Sequence, residues 1–193
     1  MGQRRILGEV TAEQAEQSGD PTPVDATTHE IIEQQLGRRP RATRAIAHRC
    51  SCGLPDVVET APRLEDGTPF PTLFYLTCPR AASAIGRLEA SGLMRDMTER
   101  LQQDPQLAER YAGAHADYLA RRDAIDVLPG SPSAGGMPVR VKCLHVLVAH
   151  SLAVGRGVNP FGDEALDLLS DWGERGPCVA IEDTSEGTIE DQA

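Results

Sequence analysis

Residues 140–150 read RVKCLHVLVAH, and the course of this segment decides how the rest of the chain can pack. Its apolar side chains occupy nearly the whole circumference of a helix, which is typical of a helix buried on most sides. Proline favours the first position of a helix and glycine its end. We therefore predict a central helix that begins at Pro138 and ends at Gly155.

The polar residues of this segment indicate a site, because buried polar side chains need partners. The segment carries the chain's single lysine, Lys142, together with Cys143, His145 and His150. On a regular helix Cys143 and His150 lie about 20° apart, whereas His145 lies about 200° from Cys143. Two arrangements therefore remain open. Either Cys143 and His150 face the site, or Cys143 precedes the first helical turn and joins His145.

Upstream of this helix the pattern predicts strands. Three segments are rich in β-branched and aromatic residues between turn residues, and they read RATRAIAHRC (41–50), DVVETAP (56–62) and TLFYLTC (72–78). A tight turn, SCGLP, joins the first two. We expect a small antiparallel three-stranded sheet.

Most of the remaining chain is predicted to be helical. Capping residues and prolines at first helical positions delimit the segments, which are 27–36, 79–91, 93–103, 105–122 and 163–173. The fold class expected is α+β, with the sheet packed against a mostly helical C-terminal two-thirds. Residues 26–172 would form this single globular domain.

Charge and composition set limits on the class of protein. The chain carries a net charge of −10, of which −8 falls in residues 1–25 and 173–193, so we predict acidic, flexible tails at both ends. No segment is long and apolar enough for membrane insertion or a secretory signal, which predicts a cytoplasmic protein. With 4% aromatic residues and no recognised binding motif, specific nucleic-acid binding is not expected.

The cysteines are the strongest chemical signal. Cys50 and Cys52 are separated by a single residue, and Cys78 lies where a predicted strand ends and a predicted helix begins. Thiolates and imidazoles are the ligands that zinc prefers, and thiolates hold iron–sulfur clusters. We predict a metal site of zinc or an iron–sulfur cluster, with ligands drawn from Cys50, Cys52, Cys78, Cys143, His145 and His150. The alternative for any of these cysteines is that it packs as a small apolar side chain.

Two other functions remain open from the sequence. A cysteine-dependent enzyme could use Cys78 as nucleophile, because a helix N-terminus stabilises a thiolate. His145 or His150 would then act as the base, and Lys142 would bind an anionic substrate. Further anion-binding candidates are Arg80, Arg44 and His115. The remaining function is a non-catalytic interaction module that binds a protein partner.

Three stretches carry a family resemblance: RCSCGLPDVVETAPRLEDGTPFPTLFYLTCPR, SAGGMPVRVKCLHVLVAH and GVNPFGDEAL. Through them the chain resembles an actinobacterial family catalogued as domain of unknown function 501, over roughly residues 27–172. The family supplies no activity and no ligand assignments. Genes of its members often lie near those for a septum-formation initiator and an exopolyphosphatase-like protein. The resemblance therefore implies a link to cell division or envelope biology by association alone.

Overall fold

The structure is a computed structural model that describes residues 22–180. Most of the two predicted tails, residues 1–21 and 181–193, lies outside the described residues. The described parts of both tails contact the domain. Residues 22–23 pair with a strand of the sheet, and the Arg80 side chain donates hydrogen bonds to the carbonyl oxygens of Gly176 and Pro177.

The fold is α+β, as predicted, but the sheet has four strands rather than three in the part of the chain that the structure describes. The strands are β1 (Thr22–Pro23), β2 (Thr43–Arg49), β3 (Pro55–Thr60) and β4 (Phe74–Leu76), and they lie side by side in chain order. All neighbouring pairs are antiparallel. The extra strand, β1, has only two residues, both exposed. So short a strand has no alternating pattern by which the sequence could reveal it.

Six helices accompany the sheet within residues 22–180. They are α1 (Ala26–Leu36), α2 (Pro79–Ala90), α3 (Leu93–Gln103), α4 (Pro105–Asp123), α5 (Leu144–Val154) and α6 (Pro160–Asp167). Helix α5 contacts three strands of the sheet as well as α2 and α6. It is therefore the central element of the core, as its apolar sequence predicts. No helix within residues 22–180 is long and apolar enough to cross a membrane.

Helix α5 begins six residues later than predicted. Residues 138–139 lie in a turn and residues 140–142 have no regular secondary structure, because other parts of the chain bind the backbone there. Thr98 of α3 accepts a hydrogen bond from the Val141 amide, and Tyr111 of α4 donates one to the Arg140 carbonyl. The predicted end of the helix at Gly155 is confirmed.

Helix α6 also differs from the prediction, which placed it between Asp163 and Gly173. It begins at Pro160, and its N-cap is Asn159, whose side chain accepts a hydrogen bond from the Gly162 amide. Asp163 lies within the first turn and accepts from the Gly157 amide. The asparagine followed by proline is thus the local start signal of this helix.

Candidate metal centre

One group of metal-binding side chains comes together within residues 22–180. It consists of Glu89, Cys143 and His145, and one ligand atom from each lies within 4.8 Å of the others. Glu89 is in the last turn of α2, and the other two residues lie at the start of α5. We call this group the Glu89–Cys143–His145 cluster. All three residues are partly exposed, so the group is accessible from solvent.

The late start of α5 explains why Cys143 and His145 meet. Cys143 is the N-cap and has an extended backbone, with φ −152° and ψ 109°. It therefore precedes the first helical turn, and the 100° rotation per residue of a regular helix does not separate its side chain from His145. Of the two arrangements left open by the sequence, this is the one that joins Cys143 to His145.

Contacts around the cluster hold two of its members in place. His145 Nε2 lies 3.1 Å from the Ala82 carbonyl oxygen, to which it can only donate, and Nδ1 lies 3.1 Å from Glu89 Oε1. The Leu144 amide donates a 2.7 Å hydrogen bond to the same Glu89 oxygen. Histidine ligands of metals commonly donate their second ring N–H to such a carbonyl, which orients the ring. Here this contact leaves Nδ1 facing the cluster.

The groups around His145 favour the protonated, positively charged form of its ring when no metal is bound. The neighbouring Cys143 thiol, followed by Glu89, raises the pKa of His145 to about 9 against the opposing effect of burial. A metal ion at Nδ1 must displace this proton. The same negative and polar groups that stabilise the proton would stabilise a cation in its place.

The structure separates the other predicted ligands from this cluster. Cys50 and Cys52 form a disulfide with each other in the turn after β2. They are therefore joined to each other and do not share one site with Cys143. Their spacing in the sequence brings the two sulfurs together.

Cys78 does not have the features expected of a nucleophile. It is the N-cap of α2, as predicted, but it is only 1% exposed. Burial raises its pKa to about 11, and the neighbouring Cys178 adds to this effect. Burial therefore outweighs the lowering by the start of the helix. Cys178, from the predicted tail, packs here and accepts a hydrogen bond from Gln35.

His150 is a core residue rather than a ligand. It is fully buried, and its Nε2 lies 2.9 Å from Asp117 Oδ2. Its Nδ1 accepts a hydrogen bond from the Asn159 amide group. The ring also stacks on Phe74 and meets the edge of Tyr118. Both ring nitrogens thus have partners in the neutral form, which leaves no lone pair for a metal.

We expect His150 to make the folded protein less stable at acid pH. Burial lowers its pKa below the ordinary value of 6.5, although Asp117 opposes this effect. The unfolded chain therefore binds a proton that the folded chain does not, so stability present above pH 6.5 is lost as the pH falls below it. The loss can reach about 1.4 kcal/mol per pH unit. Urea unfolding of His150→Gln at pH 7 and pH 5 should show a smaller decrease than wild type. His29→Gln on α1 is the control. If His150→Gln lost as much stability as wild type between pH 7 and pH 5, His150 would not be the source of this pH dependence.

The predicted anion-binding residues are mostly engaged elsewhere. Arg44 pairs with Glu59 of the neighbouring strand at 2.9 Å, and Arg80 binds the carbonyls of residues 176 and 177. His115 lies on α4, where burial and then Arg122 lower its pKa. Lys142 is exposed and lies next to Cys143. Of these four residues, Lys142 is therefore the one that adjoins the cluster.

Sequence reasoning missed Glu89. It is the single acidic residue of α2, which is a weak signal, because an acid near the end of an exposed helix face is usually solvated. Its partner His145 is 56 residues away in the sequence. No spacing rule connects positions so far apart, and the contact depends on how α2 packs against α5.

The comparisons with known proteins give a family but no function. The family model described as "Protein of unknown function (DUF501)" matches residues 46–167, which is well over half of the chain. No curated protein matches the chain, and no solved structure does. The matched region includes β3, β4, α2 to α6 and all three members of the Glu89–Cys143–His145 cluster. The chain belongs to the DUF501 family of proteins of unknown function.

Proposed function

We propose that the protein binds a zinc ion at the Glu89–Cys143–His145 cluster. The observation that carries this proposal is the approach of one carboxylate, one thiol and one imidazole to within 4.8 Å of one another. Donor atoms around a tetrahedral zinc ion are roughly 3.3–3.8 Å apart, so small side-chain adjustments suffice. The distance from His145 Nδ1 to Glu89 Oε1 is already 3.1 Å.

The donor set favours zinc over an iron–sulfur cluster. Iron–sulfur clusters are held mainly by several thiolates, and this group offers one cysteine. A mixed set of cysteine, histidine and carboxylate is a set that zinc accepts. Three protein ligands leave the fourth position open. This is the pattern of a zinc site that binds or activates a further ligand, whereas structural zinc sites have four protein ligands.

Zinc titration of the chelator-treated protein tests the proposal. We expect about one equivalent to bind, and we expect Cys143→Ser and His145→Gln each to weaken binding by at least tenfold, because each removes one of three ligands. Calorimetry and elemental analysis after dialysis measure this directly. Cys178→Ser is the matched control, since it removes a free cysteine outside the cluster and should leave the affinity unchanged.

Two results would overturn the zinc site. One is a folded wild-type protein that takes up no zinc. The other is equal zinc affinity in wild type, Cys143→Ser and His145→Gln, which would place any bound ion elsewhere. Circular dichroism of each variant shows whether it is folded, so that a loss of binding is not confused with a loss of structure.

A second candidate function is thiol chemistry at Cys143, in place of the Cys78 nucleophile expected from the sequence. Cys143 Sγ and a ring nitrogen of His145 lie within 4.8 Å of each other, and a cysteine nucleophile needs such a base beside it. Folded protein that binds no zinc, but whose Cys143 reacts with iodoacetamide faster than Cys178, would favour this function. If the protein binds no zinc and the Cys143 thiol is also unreactive, the non-catalytic interaction module is the remaining function.

A further inference from the structure

A cavity of about 380 Å³ lies beside the cluster. Its walls come from the loop that precedes α5, and the residues that line it include Gly135, Gly136, Arg140, Lys142 and Cys143. Cys143 is therefore common to the cavity and to the Glu89–Cys143–His145 cluster. A molecule in this cavity would lie next to a metal ion held by the cluster.

The cavity is cationic in an acidic protein. Arg140 and Lys142 line it, and none of its lining residues is acidic. Within residues 22–180, neither of these two side chains has an ion pair or a hydrogen bond, whereas Arg44 and Arg80 are both engaged by protein groups. Two cations in the lining are therefore available to a ligand of opposite charge, and no carboxylate among the lining residues neutralises them.

The wall of the cavity is held by backbone contacts that require glycine. Gly135 and Gly136 have φ values of 61° and 92°, in the left-handed region that other residues rarely adopt. Their carbonyl oxygens accept hydrogen bonds from the Lys142 and Arg140 amides. A Cβ atom at Gly136 would approach the Arg140 carbonyl oxygen to less than 3 Å. The loop therefore folds closely onto the segment that carries both cations, and this fixes the backbone of the segment beside Cys143.

We propose that the cavity binds a small oxyanion, a carboxylate or phosphoryl group, as the exogenous ligand of the metal. One oxygen of this group would complete the coordination left open by the three protein ligands, and the others would pair with Lys142 and Arg140. This inference rests on the proposed zinc site. It adds the chemical class of the ligand and two residues that select it.

Cobalt-loaded protein tests the inference, because the visible spectrum of Co²⁺ responds to a change in its coordination. Cobalt uptake is measured first in an anion-poor buffer, and inorganic phosphate and acetate are then titrated in turn. We expect at least one of them to change the spectrum in a saturable way. Lys142→Gln should weaken that binding by about tenfold, the effect of losing one charge-assisted contact. Cobalt uptake itself should be unchanged in this variant, since Lys142 is not a ligand. Arg95→Gln, at an exposed position on α3, is the matched control.

The outcomes separate the two proposals. Normal cobalt uptake with a spectrum that neither anion alters would overturn the oxyanion site and leave the metal site standing. Equal anion affinity in wild type and Lys142→Gln would also overturn it. A failure to bind cobalt or zinc would instead overturn the metal site, and this inference with it. If the oxyanion site is correct, the tighter of the two anions identifies whether the ligand class is phosphoryl or carboxylate.

Discussion

Gly162→Ala is expected to destabilise the protein by about 3 kcal/mol or more, because the substitution forces two packed helices apart. A Cβ atom at Gly162 of α6 would lie within 3 Å of the Leu147 carbonyl and of the Ser151 side chain of α5. The first of these is backbone inside a buried helix and cannot rotate away. Equilibrium unfolding in urea, followed by circular dichroism, measures the change in the free energy of unfolding.

Gly113→Ala provides the matched control for this substitution. Gly113 lies within α4, is exposed, and has no atom within 4 Å of the position that a Cβ would take. Alanine favours a helix over glycine by up to about 1 kcal/mol, so this variant should be more stable than wild type. Two glycine-to-alanine changes in helices thus have opposite expected signs. A small effect of Gly162→Ala, similar in size to that of Gly113→Ala, would show that α5 and α6 are not packed as closely as described.

Asn159→Ala is expected to cost about 3 kcal/mol, since one side chain serves two buried partners. Its oxygen caps α6 by accepting from the Gly162 amide, and its amide group donates to His150 Nδ1. Loss of a cap costs about 1 kcal/mol. Leaving buried groups without partners adds about 1–3 kcal/mol, and Asn159 and His150 are both fully buried.

Asp104→Ala isolates the capping contribution. Asp104 caps α4 through hydrogen bonds from the Gln106 and Leu107 amides, but its side chain is exposed. Water can replace those contacts, so we expect a loss of about 1 kcal/mol. Urea unfolding compares the two variants under one set of conditions. If Asn159→Ala were no more destabilising than Asp104→Ala, the contact with His150 would contribute nothing measurable.

The first and last residues of α1, α3 and α4 could be predicted closely from the sequence, because the capping residues that mark them act locally. Asp25 accepts a hydrogen bond from an amide three residues later, and Asp104 accepts from two amides of the turn that it precedes. Gly37 ends α1 in the left-handed conformation that glycine favours. The central position of α5 was equally predictable, because a helix that is apolar on all sides must be buried.

The errors occurred where distant parts of the chain decide the backbone. The predicted first turns of α5 do not form, because Thr98 and Tyr111 bind the backbone of residues 140 and 141 from other helices. Strand β1 exists because it pairs with β2 across more than twenty residues. Neither contact leaves a periodic pattern in the segment that it changes.

The sequence by itself determined the α+β class, the family and the residue types from which a site could form. It identified Cys143 and His145 as candidates, but it could not separate His145 from His150 or connect either to Glu89. Tertiary structure decided both points, since the shortened α5 places Cys143 before the first helical turn and α2 brings Glu89 to it. The physical reason is that helical periodicity relates neighbours within one element, whereas a site is formed by atoms that packing brings together from different elements.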